Sequence, residues 1–227
     1  MIALIRNILN VFQRHGLWDE GVMLVGSWCY VFYERHFGAR NYPFKTEDVD
    51  FLVPFPYRGR KSVNLAKDFE AMGFKEAFKS GGAIYFYNPE FKIEFICPER
   101  GKESRQPKSI KPLGLQVDAL RFVEMLLEDP VTVQEEGLAI RVPNPVNFCL
   151  HKLVIAQRRK KSYKRAKDIE QAIHVMSILS KEAFKSKFEK LPAKWRTYAR
   201  KSLAQGIELN PLEERTVREY LDTLQKR

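Results

Sequence analysis

Apolar residues at Ile2, Leu4, Ile5, Ile8, Leu9 and Phe12 recur at the three- and four-residue spacing of a helix buried on one face, and the spacing predicts a helix that ends near His15-Gly16. VMLV at 22–25 reads as a short buried strand. Gly26-Ser27 interrupts it, and WCYVFYERHFG resumes with a helical period, Ser27 being a residue suited to cap that helix. In EDVDFLVP the pattern alternates, with Val49, Phe51 and Val53 on one face of a strand and Asp48, Asp50 and Leu52 on the other. A helix at about 61–72, closed by Gly73, leads to the strands AIYFYN and FKIEFICP, joined by a turn at Asn88-Pro89-Glu90. In the second of these Phe91, Ile93, Phe95 and Cys97 alternate with Lys92, Glu94 and Ile96, so Glu94 belongs to the less apolar face.

Residues 99–112 form a polar stretch rich in Lys, Ser and Pro, the expected domain boundary. Beyond it DALRFVEMLLED has the period of a helix, and VTVQEEGLAIRVPNP that of a hairpin turning at Glu136-Gly137. Helical patterns follow at about 145–159, 164–180, 192–205 and 211–225. The expectation is an α+β domain over 1–112 and a mostly helical domain over 113–227 that carries a β-hairpin near 131–142. No internal repeat is visible.

Composition narrows the class. The 227 residues are 44% hydrophobic and 30% charged, a balance that suits a chain with a packed core and not a disordered one. The longest apolar stretches are about half the roughly 20 residues that a membrane-spanning helix needs, so no membrane segment is expected. The first helix carries Arg6 and Arg14 within its apolar pattern and lacks a small-residue cleavage site, which fits a cytoplasmic protein. Cys29, Cys97 and Cys149 sit among apolar neighbours at spacings that suit neither zinc nor a disulfide framework. The formal charge of +11 is unevenly placed: residues 1–151 hold 19 basic and 19 acidic side chains, whereas 152–227 hold 20 and 9. Its densest block, RRKKSYKRAK at 158–167, has seven basic side chains in ten, a run that faces phosphate or forms a solvated helix face.

The candidate chemistry lies in the neutral part. Gly26-Ser27 at a strand-to-helix turn lets backbone N–H groups approach a phosphate at a helix N-terminus and adds a hydroxyl. If their strands are neighbours, Asp48-x-Asp50 and Glu94 place three carboxylates on one sheet face, where they repel one another unless a cation neutralises them. Mg²⁺ takes oxygen ligands and keeps positions open for substrate phosphates. Two such ions about 3.5–4 Å apart hold an attacking hydroxyl and a leaving pyrophosphate in line. Lys45 and Thr46, just ahead of Asp48, are placed for a phosphate contact and a supporting hydrogen bond. His151, among Phe148, Leu150 and Leu153, reads as a structural histidine.

In this order LVGSWCYVFY, KTEDVDFLV and FKIEFIC resemble the nucleotidyltransferase superfamily that includes DNA polymerase beta and the aminoglycoside nucleotidyltransferases. Downstream, VPNPVNFCLHKLVIAQRR and KRAKDIEQAIHVM resemble the bacterial abortive-infection nucleotidyltransferase toxins of the AbiEii type, and bacterial proteins of this fold share the phrases LLEDP, VPNP and HKL. The resemblance covers about residues 20–180. Where those toxins show two glycines and a small or hydroxyl residue, this chain has Trp28 and Cys29 after Gly26-Ser27.

The resemblance implies a nucleotidyltransferase fold, a mixed sheet flanked by helices, followed by a basic helical domain that closes over the nucleotide. It gives Gly26 and Ser27 the nucleotide phosphates, Asp48 and Asp50 the metal, and Glu94 the place of the third carboxylate, which also helps activate the acceptor. It gives Lys152 a phosphate contact and Asp168 the role of orienting that lysine. The implied reaction is Mg²⁺-dependent transfer of a nucleoside monophosphate from an NTP to an acceptor hydroxyl, with release of pyrophosphate. The acceptor would be RNA such as tRNA, or a protein, drawn by Arg158, Arg159, Lys160, Lys161, Lys164, Arg165 and Lys167, and an antitoxin partner is a further implication. The alternatives are a catalytically inactive member of the fold that binds nucleotide or nucleic acid, and a basic nucleic-acid-binding module with incidental carboxylates. A metal-dependent glycosyltransferase also uses Asp-x-Asp, but the Gly-Ser turn and Glu94 argue against it.

Overall fold

A computed structural model describes residues 2–39, 46–59, 61–99, 101 and 106–225. The chain divides into two compact units, Met1–Cys29 with Phe44–Pro143, and Tyr30–Pro43 with Asn144–Arg227. The polar stretch at 99–112, expected as the boundary, therefore lies inside the first unit, which continues to Pro143.

The first unit is built on a mixed sheet. Its strands are β1 (Met23–Val25), β2 (Asp48–Leu52), β3 (Lys75–Phe78), β4 (Ile84–Tyr87) and β5 (Lys92–Pro98), in the spatial order β1-β2-β5-β4-β3. β1 runs antiparallel to β2, β2 parallel to β5, and β4 antiparallel to both β5 and β3. β6 (Lys108–Ile110) and β7 (Leu115–Leu120) form a further antiparallel pair, and β7 joins β5 in parallel through Ile96↔Asp118 to Pro98↔Leu120. β4 and β7 thus share one edge of β5, β4 pairing with residues 92–94 and β7 with 96–98.

One face of this sheet is aromatic. Phe51 of β2, Phe95 of β5 and Phe86 of β4 are buried on it, as strand alternation requires. Helices α1 (Ala3–Arg14) and α3 (Leu65–Glu70) supply Phe12 and Phe69 against them. Phe12 stacks on Phe51 with ring centroids 4.0 Å apart and on Trp18 at 5.0 Å. The opposite face is apolar at one end only: Met23, Val25 and Leu52 pack with Val123 and Leu126 of a 3₁₀ segment, Val123–Leu127. Its other end carries Asp48, Asp50, Lys92 and Glu94.

The expected helix DALRFVEMLLED is a correction. Asp118, Ala119 and Leu120 belong to β7, Phe122 reverses the chain at φ +74°, and only Val123–Leu127 is helical, as 3₁₀. The open edge of β5 at residues 96–98 takes 118–120 as its partner, and that pairing overrides a periodicity compatible with a helix. The hairpin of β8 (Val131–Glu135) and β9 (Leu138–Val142) turns at Glu136-Gly137 as expected.

The second unit is helical: α2 (Cys29–Phe37, Tyr30 onward), α4 (Pro145–Ala156), α5 (Ser162–Met176), α6 (Lys181–Glu189), α7 (Ala193–Leu209) and α8 (Glu214–Gln225). Tyr33 meets Phe148 edge to face at 5.2 Å. α7 comes close to α5 at Gly206, where a β-carbon would lie 2.6 Å from Ile173 Cδ1. Ser202 donates to the Leu153 carbonyl at 2.6 Å, and the Tyr220 hydroxyl donates toward the carbonyls of Met176 and Leu179, so these buried hydroxyls are satisfied. Among the described residues no helix is long and apolar enough to cross a membrane. The three cysteines are buried and none is in a disulfide.

Phe12→Ala removes the ring on which the aromatic face converges, and the expected loss is about 3–5 kcal/mol. Chemical denaturation of the variant beside the unaltered protein measures it.

Candidate active site

Strand register assembles the acids. In the β1–β2 pair Val25 opposes Asp50, so the chain leaves β1 at Gly26 alongside the Asp48–Asp50 segment. In the β2–β5 pair Asp50 opposes Glu94 and Asp48 opposes Lys92, which puts all four on one face. Gly26 adopts φ +74° and opens a 3₁₀ turn, Gly26–Trp28, that runs into α2. A β-carbon at residue 26 would lie 2.3 Å from Asp50 Oδ2, so a side chain there would displace that carboxylate besides being strained at this φ. Ser27 lies within the turn and Trp28 is buried, its ring edge-on to Phe91 at 5.9 Å.

Asp48 is exposed and Asp50 half-buried. Glu94 is more enclosed, its side chain 16% exposed, and two lysines meet it. Lys79 Nζ lies 3.1 Å from Glu94 Oε1 and 2.5 Å from Asp118 Oδ2, and Lys92 Nζ also contacts Glu94 Oε1. Burial pushes the Glu94 carboxyl up, but Lys92 and Lys79 outweigh it and hold it below the usual carboxylate range. Burial likewise opposes the charge on Lys79, and Asp118 and Glu94 overcome it, so its ammonium is held above the ordinary value. Register thus brings Asp50 and Glu94 side by side. Among the described residues no three His, Cys, Asp or Glu side chains form a group that would hold a metal ion. Thr46 Oγ1 donates to the Asp48 carbonyl at 3.4 Å, and Lys45 lies outside the described residues.

In the second unit Lys152 and Asp168 do meet. Lys152 Nζ donates to Asp168 Oδ1 at 2.9 Å, and Arg159 Nε donates to Asp168 Oδ2 at 2.6 Å. Lys152 is 7% and Asp168 3% exposed. Burial raises the Asp168 carboxyl, and Lys152 and Arg159 more than reverse this, leaving it below the usual range. His151 is buried beside them. Burial, with Lys152 adding to it, lowers its pKa to about 3, so it is neutral at physiological pH.

The basic run divides. Arg159 is committed to Asp168, and Arg165 donates to the Arg159 carbonyl at 3.2 Å. Lys167 is half-buried, while Arg158, Lys160, Lys161 and Lys164 are exposed together with Tyr163. Sequence reasoning did not find Lys79 and Lys92 as neighbours of Glu94, nor Asp118 as the second partner of Lys79. Lys92 was legible, two residues before Glu94 on the same strand face. Lys79 and Asp118 arrive through β3–β4 and β7 pairings that no local pattern announces.

A family model described as Nucleotidyltransferase matches residues 4–196. Similar solved structures include an antigenic nucleotidyltransferase-like protein from Paracoccidioides brasiliensis, 13% identical with a TM-score of 0.49 over 95% of this chain and 92% of that one. Another is the antibiotic-resistance factor ANT(2'')-Ia, 13% identical with a TM-score of 0.46 over 93% and 96% of the two chains. No curated protein matches the chain significantly.

Gly26→Ala forces a β-carbon toward the Asp50 carboxylate at a left-handed φ, and should cost about 1–3 kcal/mol in denaturant melts. Asp168→Asn leaves Lys152 and Arg159 without their counter-charge and should cost about 3–5 kcal/mol at neutral pH. Because the folded carboxyl titrates below its unfolded value, its contribution is complete above the unfolded pKa of about 3.9 and is lost as pH falls through the lower folded value. The difference between variant and unaltered protein should therefore shrink only below about pH 4, as a pH series of melts would show.

Proposed function

The chain belongs to the nucleotidyltransferase family, and from that premise we propose that it transfers a nucleoside monophosphate from an NTP to a hydroxyl of an RNA acceptor in the cytoplasm, with pyrophosphate leaving. The observation that carries this reading is that Gly26, just past the end of β1, stands against Asp50 of β2, which opposes Glu94 of β5, with Asp48 on the same face.

The residues present fit a divalent ion at Asp48 and Asp50. Two carboxylates two positions apart on one face supply hard oxygen ligands, and the glycine beside them makes room for the Asp50 carboxylate. Bound there, Mg²⁺ supplies positive charge to the phosphoryl oxygens. The turn at Gly26 and Ser27 binds the phosphates through backbone N–H groups and a hydroxyl. Glu94, kept ionised by its lysines, accepts a hydrogen bond from the acceptor hydroxyl and orients it for attack. The two-ion arrangement expected from the sequence additionally needs a Glu94 oxygen that Lys79 and Lys92 now engage. Lys152 and Asp168 have no part in this reading, since both are buried and spend their charge on each other and Arg159.

Exposed Arg158, Lys160, Lys161 and Lys164 favour a polyanionic acceptor, and Tyr163, 61% exposed, offers a base a stacking surface. Purified protein is incubated with each α-labelled NTP, Mg²⁺, and total RNA or protein extract, beside Asp48→Ala/Asp50→Ala. Label should pass to RNA with the unaltered protein alone. Equal labelling by the variant contradicts the catalytic assignment, and label in protein contradicts the RNA acceptor. Replacing Lys160 and Lys161 by Ala should reduce the salt slope of single-stranded RNA affinity by about 0.7 for each phosphate that the protein no longer neutralises.

A further inference from the structure

We propose that this sheet face takes one divalent ion and not two, the ammonium groups of Lys79 and Lys92 standing on Glu94 where a second ion would need an oxygen. The proposal rests on the reading of Asp48 and Asp50 as metal ligands given above.

Both lysines are anchored by strands. Lys92 is the first residue of β5, its backbone N–H donates to the Glu47 carbonyl at 2.8 Å, and its ammonium lies 4.7 Å from the centre of the Tyr85 ring. The Lys79 N–H donates to the Ala83 carbonyl at 2.8 Å, closing the hairpin that joins β3 to β4. From there its ammonium spans Glu94 and Asp118, carboxylates of β5 and β7. Asp118 is fixed by its pairing with Ile96, two residues beyond Glu94. Lys79 is thus gripped from two strands, and Glu94 Oε1 receives two ammonium groups.

The two ammonium groups also set fixed positive charge at Glu94, against which a second cation would have to be brought. A magnesium-sized ion demands near-octahedral oxygen geometry at short distance. An ammonium already within hydrogen-bonding reach of Glu94 Oε1 occupies that direction and repels the incoming cation. The ammonium supplies fixed positive charge without a coordination sphere, so the face keeps a permanent cation beside Glu94 and a single exchangeable one beside Gly26.

The test counts ions and does not depend on turnover. Mn²⁺ binding to the full chain without nucleotide is followed by the paramagnetic signal of the free ion. The unaltered protein should bind one Mn²⁺, Lys79→Met/Lys92→Met two, and Asp48→Asn/Asp50→Asn none. Two ions on the unaltered protein, or one on the lysine variant, overturn the proposal and leave the metal-site reading standing. No ion on the unaltered protein, or one retained by the aspartate variant, overturns that reading and the proposal with it. Should the lysine variant lose its native circular dichroism, Glu94→Gln decides instead. It should keep its single ion, and loss of that ion would overturn the proposal by showing that Glu94 is a ligand.

Discussion

A β-carbon on residue 26 would stand 2.3 Å from a carboxylate oxygen of Asp50, and this near-contact fixes what surrounds it. The antiparallel pairing of β1 with β2 sets Val25 against Asp50, so the next residue must both turn the chain and clear the acid. Glycine at φ +74° does both, because it has no side chain to strain or to collide. Asp50 then opposes Glu94 on β5 by parallel register, and Asp48 takes the neighbouring place on the same face. The candidate site follows from three strands in one register with one residue that lacks a side chain.

Acids can gather there because the rest of the face is organised to tolerate them. On one side Met23, Val25 and Leu52 pack with Val123 and Leu126, closing the apolar end of the face. On the other, Lys79 and Lys92 answer the enclosed carboxylate of Glu94. The helical unit meets the same difficulty in the same way, with Asp168 buried between Lys152 and Arg159. In both places a carboxylate leaves water only where two cations meet it, which offsets its desolvation. The opposite sheet face needs no such device: Phe12, Phe51, Phe69, Phe86 and Phe95 fill it with rings.

Periodicity made much of this legible. The amphipathic first helix, the strand broken at Gly26, the alternation of EDVDFLVP and the hairpin at Glu136-Gly137 are local patterns, and each is where the spacing places it. α6 was legible but not read: Ser180 caps it by accepting from the Ala183 N–H at 3.0 Å, and Phe184 and Phe188 stand four apart on its buried face. β7 was not legible, because VDALRFVEMLL satisfies helical spacing and becomes a strand only where β5 exposes an unpaired edge. The carboxylates of the site could be read from strand parity, since Asp48, Asp50 and Glu94 each fall on the polar side of an alternation. The cations opposing them could not all be read so, since Lys79 reaches Glu94 through a hairpin and is shared with Asp118, which arrives on a strand that pairs by long-range register.

The most direct test of the central claim, that the register of β1, β2 and β5 builds a cation site against Gly26, is anomalous scattering from crystals grown with Mn²⁺ and a non-hydrolysable NTP. The account predicts a manganese peak within coordination distance of Asp48 and Asp50 oxygens, with the nucleotide phosphates at the Gly26–Trp28 turn. Manganese and phosphates bound elsewhere, with the Asp48–Asp50 face in contact with neither, would contradict it.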